Sequence, residues 1–319
     1  MASRLESIDF TKPLGREQAI ALLELPLMSE EYYRLLHEAN RYSRAAFAGK
    51  GQIFSQIGLD AQPCPVNCKF CSLSQYALGG AEPVLKTEDE VLSLARQLIE
   101  AGTKELFLMT TAAYSQEDFL TIAAKVKGLL PKGMNFVANV GDFDLDYARR
   151  LKEVGFTGVY HICRLREGVD TEVKRSARIQ TLNAVRDAGL TLYYCVEPIG
   201  PEHTNEELVD EMFRAKEYPV EVMAVMKRVG VPGTPLCGNG EISAARLAQI
   251  CAVATLTVRP SRAMGVHEPD ELCLMAGANQ IYAECGVNPR DTETDTEAGR
   301  GFSVDMARAL LAKAEWHCC

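Results

Sequence analysis

The chain has 319 residues, of which 47% are hydrophobic, and its formal net charge is −9 at pH 7. That length suits one large α/β barrel, and the hydrophobic fraction is enough for a sizeable core. The negative charge argues against a nucleic-acid-binding or membrane-surface protein, because both require clustered Lys and Arg. The sequence contains neither a long apolar run nor a recognisable signal peptide, so we expect a cytoplasmic protein.

The first 50 residues predict two helices, at Gly15–Glu24 and Ser29–Ala48. From there, short apolar runs alternate with amphipathic stretches, which is typical of buried parallel strands that are each followed by a helix. The strands are predicted at Gln52–Gly58, Glu105–Thr110, Asn135–Val140, Gly158–Ile162, Thr191–Val196, Glu221–Met226, Arg262–Val266 and Gln280–Cys285. The helices that follow them are predicted at Glu88–Ala101, Gln116–Leu129, Leu145–Val154, Glu172–Ala188, Asn205–Lys216, Ala244–Leu256, Pro269–Ala276 and Val304–Ala314.

Eight strand–helix units predict the α/β class and, within it, a TIM-type (β/α)8 barrel that is complete or slightly open. We expect an N-terminal helical extension over residues 1–50, the barrel over residues 51–290, and a loop, a helix and a cysteine tail over residues 291–319. Active sites of such barrels form at the carboxyl ends of the strands. Reactive side chains just after a predicted strand are therefore the first candidates for function.

The chain has eleven cysteines, and three of them, Cys64, Cys68 and Cys71, directly follow the first predicted strand. Disulfides are disfavoured in the cytosol, so metal binding is the better explanation for such a group. Three thiolates at this spacing can bind three irons of a [4Fe–4S] cluster and leave the fourth iron for another ligand. A zinc knuckle is the alternative, but zinc needs a fourth ligand, and the nearest candidates are the distant His37 and Cys163.

This spacing, with the aromatic Phe70 before the third cysteine, resembles the signature of the radical S-adenosylmethionine (SAM) superfamily. The resemblance covers about residues 50–290 and is nearest to biotin synthase and its relatives, which include methylornithine synthase and hydrogenase-maturation enzymes. The segments that carry it beyond the cysteines are Met109–Tyr114, Val185–Gly189, Gly233–Leu236 and Cys273–Asn279.

The resemblance implies a reduced [4Fe–4S] cluster on the three cysteines that cleaves SAM to methionine and a 5′-deoxyadenosyl radical. That radical would abstract hydrogen from a small-molecule or acyl substrate in cofactor biosynthesis. An electron donor such as flavodoxin or ferredoxin is implied as a partner, while nucleic acids and membranes are not expected as partners.

The resemblance also implies residues that bind SAM. These are Phe70, Thr110, Thr111, Glu167, Arg178 and Ile199. Arg178 is assigned to the SAM carboxylate, which a guanidinium binds with two parallel hydrogen bonds, and Arg175 competes for this role. For substrate binding we nominate Asn139, His161 and Arg164, because each ends a predicted strand or just follows one.

Biotin synthase carries a second cluster, the sulfur donor, on three cysteines within its barrel. The corresponding positions here are Met109, Val137 and about Tyr193, so the usual site is missing. A relocated auxiliary cluster could use other cysteines, namely Cys163, Cys195, Cys237, Cys318 and Cys319. If Tyr193 faces the barrel lumen, Cys195 faces it too, because side chains alternate along a strand.

A second cluster would favour sulfur insertion of the biotin or lipoyl type. Its absence would favour a carbon-skeleton rearrangement of the methylornithine synthase type, or hydrogenase-cofactor maturation. The remaining alternatives are a non-catalytic iron–sulfur or zinc scaffold, and an ordinary barrel enzyme with incidental cysteines.

Overall fold

A computed structural model describes residues 5–6, 8–218, 220–288 and 302–318 of the chain. Its strands are, in chain order, β1 (Lys50–Gly58), β2 (Asp60–Ala61), β3 (Val84–Leu85), β4 (Glu105–Met109), β5 (Asn135–Asn139), β6 (Gly158–Tyr160), β7 (Thr191–Ile199), β8 (Val220–Lys227), β9 (Ala263–Val266), β10 (Gln280–Gly286) and β11 (His317–Cys318). Its helices are α1 (Arg16–Leu23), α2 (Glu30–Ala46), α3 (Gln75–Leu78), α4 (Glu88–Glu100), α5 (Gln116–Lys127), α6 (Leu145–Val154), α7 (Arg175–Asp187), α8 (Asn205–Lys216), α9 (Ala244–Val258), α10 (Glu271–Leu274) and α11 (Val304–Lys313).

The strands β1 and β4 to β10 form a parallel barrel in which each strand is hydrogen-bonded to its neighbours along the chain. The ring closes where β10 pairs with β1, in a register that runs from Gln52 opposite Gln280 to Gly58 opposite Gly286. The predicted TIM-type fold is therefore confirmed, and the barrel is complete rather than open.

Local sequence explains why these elements form. Every residue of β4 and of β10 is buried, as expected for parallel strands that are covered on both faces. The hydroxyls of Thr87 and Thr204 accept hydrogen bonds from the first turns of α4 and α8 and so fix where these helices begin. The helix predicted from Glu172 instead begins at Arg175, because the Glu172 N–H donates to the Val66 carbonyl in the cysteine loop.

The lumen of the barrel is filled at its amino end. An apolar layer across it consists of Phe54, Phe107, Val137, Tyr193, Val222, Ala263 and Tyr282. Beneath this floor, the Glu105 carboxylate accepts hydrogen bonds from Asn135 Nδ2 at 3.0 Å, from Gln280 Nε2 at 3.1 Å and from Arg262. Only the carboxyl end of the lumen is thus left for a site.

The first helices and the last strand pack on the outside of the barrel. Helices α1 and α2 lie against α8 and α9, and β11 extends the sheet beside the start of β1, with Cys318 opposite Gly51. The division into three parts stays a prediction, and both residues 289–301 of the predicted loop and Cys319 lie outside the described residues. Within the described part of the chain, no helix combines the length and apolar character needed to cross a bilayer.

Candidate active site

A cavity opens at the carboxyl end of the barrel strands and encloses about 1190 Å³ outside the protein atoms, its mouth included. All eight barrel strands, or the loops that follow them, contribute side chains to its lining. Side chains from the whole ring of strands therefore face one shared space at this end of the barrel.

The three cysteines of the predicted cluster site, Cys64, Cys68 and Cys71, all line this cavity. Their loop follows β1 and β2 and folds back on itself. The Cys64 N–H donates to the Leu73 carbonyl at 2.8 Å, and the Cys71 N–H donates to the Cys68 carbonyl at 3.2 Å. Cys68 is buried, whereas Cys64 and Cys71 are half-buried. The spacing read from the sequence thus places three sulfurs at one cavity wall.

Asn67 holds the turn between the first two cysteines. Its φ of 46° lies in the left-handed region, which asparagine tolerates better than most residues. Its side chain donates to Glu172 Oε1 at 2.7 Å and accepts from the Gln75 N–H at 3.1 Å. The Lys69 N–H donates to the Asp170 carbonyl at 2.9 Å. These bonds fix the loop to the segment between β6 and α7.

Burial controls the protonation of the thiols. It raises the pKa of Cys68 to about 11 and raises the pKa of Cys71 well above the usual range, while the nearby Arg164 guanidinium opposes both shifts. Metal-bound cysteines are thiolates, so a metal centre would displace these protons. Three cysteines on one cavity wall fit a [4Fe–4S] cluster that leaves one iron for another ligand, whereas closed structural zinc sites use four protein ligands.

Arg178 is the predicted partner of the SAM carboxylate, and it lines the cavity although its side chain is only 3% exposed. Its Nη1 donates to Asp142 Oδ2 at 3.0 Å and its Nε donates to Glu167 Oε2 at 3.1 Å. The competing candidate Arg175 lies outside the cavity lining and donates to Glu211 Oε1 at 2.7 Å. The structure therefore favours Arg178 over Arg175 as the cation of the cavity.

Arg164, a predicted substrate residue, lies on the cavity wall between the cysteine loop and β7. Burial opposes its charge, but the neighbouring Cys68, Glu167 and Glu197 raise the pKa of Arg164. Its Nε is 3.8 Å from Glu197 Oε1. The other Glu197 oxygen accepts a hydrogen bond of 2.6 Å from the Tyr160 hydroxyl. The cavity wall thus carries an ordered group of opposite charges.

Amides and hydroxyls line the side formed by β1, β4 and β5. Asn139, also a predicted substrate residue, donates through Nδ2 to Gln56 Oε1 at 3.0 Å. Thr110 and Thr111 line the cavity, as does Phe70. The Thr111 N–H and hydroxyl both donate to the buried Asp60 carboxylate, at 2.8 and 2.5 Å. Burial raises the pKa of Asp60. The Asp60 carboxylate orients Thr111, and the sequence did not predict this residue as part of the site.

Three other predicted residues lie outside the cavity lining. Glu167 is buried behind the wall and acts through Arg178. Ile199 belongs to the apolar core, and Pro198 takes the lining position beside it. His161 points away from the lumen, with Nε2 3.1 Å from Asp142 Oδ1. The role of His161 in substrate binding gains no support from this placement.

The structure does not bring the predicted auxiliary cysteines together. Cys163 lies outside the barrel near Arg175, and Cys237 lies on a 3-10 turn after β8. Cys318 sits beside the start of β1, at the end of the barrel opposite the cavity. Cys195 alone among the described four faces the lumen, as its alternation with Tyr193 predicted. These four described cysteines therefore lie apart from one another, and the auxiliary cluster stays a prediction without support from their placement.

Residues that the sequence analysis did not assign complete the lining. The cavity includes Gln56, Tyr160, Glu197, His267 and Glu284. Gln56 and Glu284 follow floor residues of the same strands at a spacing of two, and Glu197 follows Cys195 in the same way. This alternation was the signal that could have identified them.

Comparison with known proteins agrees with the motif. A family model described as the Radical SAM superfamily matches residues 62–241. The biotin synthase of Xanthomonas euvesicatoria pv. vesicatoria (strain 85-10) is 28% identical over 284 residues, covering 84% of this chain and 80% of that protein. The [FeFe]-hydrogenase maturase HydG from Carboxydothermus hydrogenoformans has a TM-score of 0.80 at 14% identity, covering 94% of this chain and 75% of that chain. Methylornithine synthase has a TM-score of 0.79 at 18% identity, covering 97% of this chain and 94% of that chain.

The two solved structures are similar in fold, and at such identities the fold is all that they show. The family match carries more weight, because it spans more than half of the chain and includes the cysteine loop. Membership implies a [4Fe–4S] cluster and SAM, and three cysteines line the cavity where the cluster would bind. The chain belongs to the radical SAM superfamily.

Proposed function

We propose that this radical SAM enzyme abstracts hydrogen from a small polar substrate held in the barrel cavity, in the manner of the biotin synthase-like group. One observation carries the proposal: the three cysteines line the same cavity as Arg178 and the polar groups of the lumen. A cofactor on the cysteine loop and a substrate above the aromatic floor would therefore share one enclosed space.

Different residues of the chain have different roles in this proposal. Cys64, Cys68 and Cys71 would hold the cluster, and the cluster would supply the electron for reductive cleavage of SAM. Arg178 would bind the SAM carboxylate. Asp142 and Glu167 accept two of its five N–H groups and fix the side chain, and the remaining N–H groups are those that would bind SAM.

The substrate side of the cavity supports a small molecule with polar groups. Asn139 and Gln56 offer amide donors and acceptors, and Arg164 and Glu197 offer one charge of each sign. Aromatic residues close the lumen below them. This arrangement suits a compact polar substrate better than a long acyl chain, and the substrate itself would belong to cofactor biosynthesis.

The positions of the sulfur-donor cysteines of biotin synthase support a reaction without sulfur insertion. Met109 lines the cavity, and Val137 and Tyr193 belong to the floor, so none of the three supplies a thiolate. A carbon-skeleton rearrangement of the methylornithine synthase type is therefore the first candidate reaction, and sulfur insertion is the second. A flavodoxin or ferredoxin is the proposed electron donor.

Anaerobic reconstitution followed by reduction with dithionite tests the proposal. We expect about four irons per chain and release of 5′-deoxyadenosine from SAM. Cys68→Ala should abolish both, because it removes one of three iron ligands. The matched control is Cys163→Ala, which changes a buried cysteine outside the cavity and should retain both.

Two results would contradict the proposal. Bound zinc in place of iron would support the scaffold alternative, as would a cluster-loaded protein that releases no 5′-deoxyadenosine. About eight irons per chain would instead support a second cluster and restore sulfur insertion as the leading reaction.

A further inference from the structure

A second set of metal-binding side chains lies in the lumen beside the proposed cluster site. Cys195 and Glu197 on β7 and His267 after β9 place their donor atoms within 4.8 Å of one another, and all three side chains are buried. We propose that these three residues bind one divalent transition-metal ion, Zn²⁺ or Fe²⁺, that is distinct from the iron–sulfur cluster.

The topology of the barrel explains how the three residues meet. Cys195 and Glu197 are two positions apart on β7, so both side chains point into the lumen. The strand between β7 and β9 contributes Ala224 opposite Cys195, and Gly265 lies opposite Ala224. These two small residues leave the space between β7 and His267 open. A Cβ on Gly265 would lie 3.6 Å from His267 Nε2.

The surroundings also hold two of the proposed ligands in place. The Tyr160 hydroxyl donates to Glu197 Oε2 at 2.6 Å, and a carboxylate has enough lone pairs to accept this bond and still bind a metal. The backbone N–H of His267 donates to the Val225 carbonyl at 3.0 Å and fixes the main chain there, and the His267 ring centroid lies 5.4 Å from that of Phe54. Hydrogen bonds and packing of this kind orient metal ligands and tune their affinity.

The donor set selects the class of ion. One thiolate, one imidazole and one carboxylate suit Zn²⁺ or Fe²⁺ and exclude the hard ions Ca²⁺ and Mg²⁺. A single thiolate cannot hold a second cubane, and the described Cys163, Cys237 and Cys318 lie elsewhere. Two anionic ligands would offset the charge of a divalent ion in this buried position, beside the Arg164 guanidinium that lies 3.8 Å from Glu197 Oε1.

Three protein ligands leave a coordination position for another group, as in catalytic zinc sites. Glu197 and His267 line the cavity, so this position would face the proposed substrate. A thiol, carboxylate or hydroxyl group of a substrate would bind there. The inference stands on the three side chains and does not require that the proposed radical reaction be correct.

Cobalt binding tests the site without the cluster. In a Cys64→Ala, Cys68→Ala, Cys71→Ala variant, we expect one Co²⁺ per chain, with a thiolate-to-cobalt absorption band in the near ultraviolet that added Zn²⁺ removes. Adding Cys195→Ser should eliminate the band, and adding His267→Ala should weaken Co²⁺ binding at least tenfold. Circular dichroism would verify that each variant is folded.

Two matched controls address nonspecific binding. Cys163→Ser changes another buried cysteine and should leave the band unchanged. His203→Ala changes a second histidine that lies near Asp170 and Glu202, whose carboxylates pair with Lys69 and Arg228. Retention of the band in the Cys195→Ser background, or its loss with His203→Ala, would overturn the inference, as would a folded variant that binds no Co²⁺.

If the triple variant does not fold, protein with the unmodified cysteine loop can be tested instead. Anaerobically reconstituted protein incubated with Zn²⁺ should contain one zinc per chain in addition to its iron. His267→Ala should lose the zinc and keep the iron. Equal zinc in both proteins would refute the site, and this result is independent of whether SAM is cleaved.

Discussion

The two ends of the barrel lumen each contain an arginine bound to carboxylates, yet their surroundings differ. At the amino end, Arg262 lies between Glu105 and Glu221 beneath the aromatic floor, away from the cavity lining. At the carboxyl end, Arg178 is bound by Asp142 and Glu167 and lines the cavity. Similar ion-pair chemistry therefore occurs at the filled amino end of the lumen and at the open carboxyl end, where the cavity lies.

The comparison teaches that burial and pairing alone do not identify a functional cation. Glu105 accepts bonds from Asn135, Gln280 and Arg262, so its network is complete within the chain. Arg178 has N–H groups beyond those that it donates to its two carboxylates, and it faces a space that can hold a ligand. We therefore assign stability to the first network and ligand binding to the second.

Removing the buried Glu105 carboxylate at the filled end should have the largest effect on stability. Glu105→Ala leaves Arg262 without its most buried partner and leaves Asn135 and Gln280 without an acceptor. Breaking such a pair costs about 3–5 kcal/mol of unfolding free energy, and the exposed Glu221 would keep the loss near the lower end. Urea unfolding of the purified protein measures it.

The second carboxylate that pairs with Arg262 provides the control. Glu221 also pairs with Arg262, at 3.4 Å, but 46% of its side chain is exposed. Glu221→Ala should therefore change the unfolding free energy by at most about 1 kcal/mol. Both variants should bind SAM as the wild type does. Equal destabilisation by the two changes, or weaker SAM binding in either, would break the assignment of this end to stability.

Much of the fold could be predicted because parallel strands covered on both faces appear as continuous apolar runs. All eight barrel strands lie where they were predicted, with ends that differ by a few residues. The two-residue strands β2, β3 and β11 were missed, since so short a segment has no periodicity to detect. The start of α7 was missed because the cysteine loop binds Glu172.

The site was predictable where its residues are close in sequence and less so elsewhere. The cysteine triplet needed only its own spacing. His161 and Cys163 were harder, because on a strand with two buried faces the sequence does not reveal which face points into the lumen. Tyr160 lines the cavity, so its neighbour His161 points outward. The meeting of Cys195 with His267 depends on barrel closure and has no local signal.

Removing Arg178 at the open end should reduce SAM affinity. The expected loss of binding free energy is smaller than the loss of unfolding free energy in Glu105→Ala. Arg178→Ala should weaken SAM binding by about tenfold to a hundredfold, which is the loss of a charge-assisted hydrogen-bonded pair. Arg178→Lys should recover part of this affinity, because it restores the charge without the planar fork. Equilibrium binding of SAM to the cluster-loaded protein measures it.

Arg175 is the control on the same helix. It pairs with Glu211 outside the cavity lining, so Arg175→Ala should leave SAM affinity within about twofold of the wild type. The iron content should be equal in all variants. If Arg175→Ala weakened SAM binding as much as Arg178→Ala does, the contrast between a paired and a cavity-facing arginine would fail.

The smallest expected effect is a pH dependence of stability at the open end. Burial raises the pKa of Asp142, but His161 and Arg178 outweigh it and lower that pKa from 3.8 to about 2. A carboxylate whose folded-state pKa is depressed stabilises the fold above its unfolded-state pKa, and this contribution is lost as the pH falls toward about 2. Asp142→Asn should therefore lower the unfolding free energy by about 1–2 kcal/mol at pH 5, and the difference from the wild type should narrow by pH 3.

Asp146→Asn is the control. It changes an exposed carboxylate on α6 and should show no such narrowing in urea unfolding at the two pH values. A constant difference for Asp142→Asn would mean that the charge of Asp142 gains nothing from His161 and Arg178, and Glu167 would then be the carboxylate that holds Arg178 by charge.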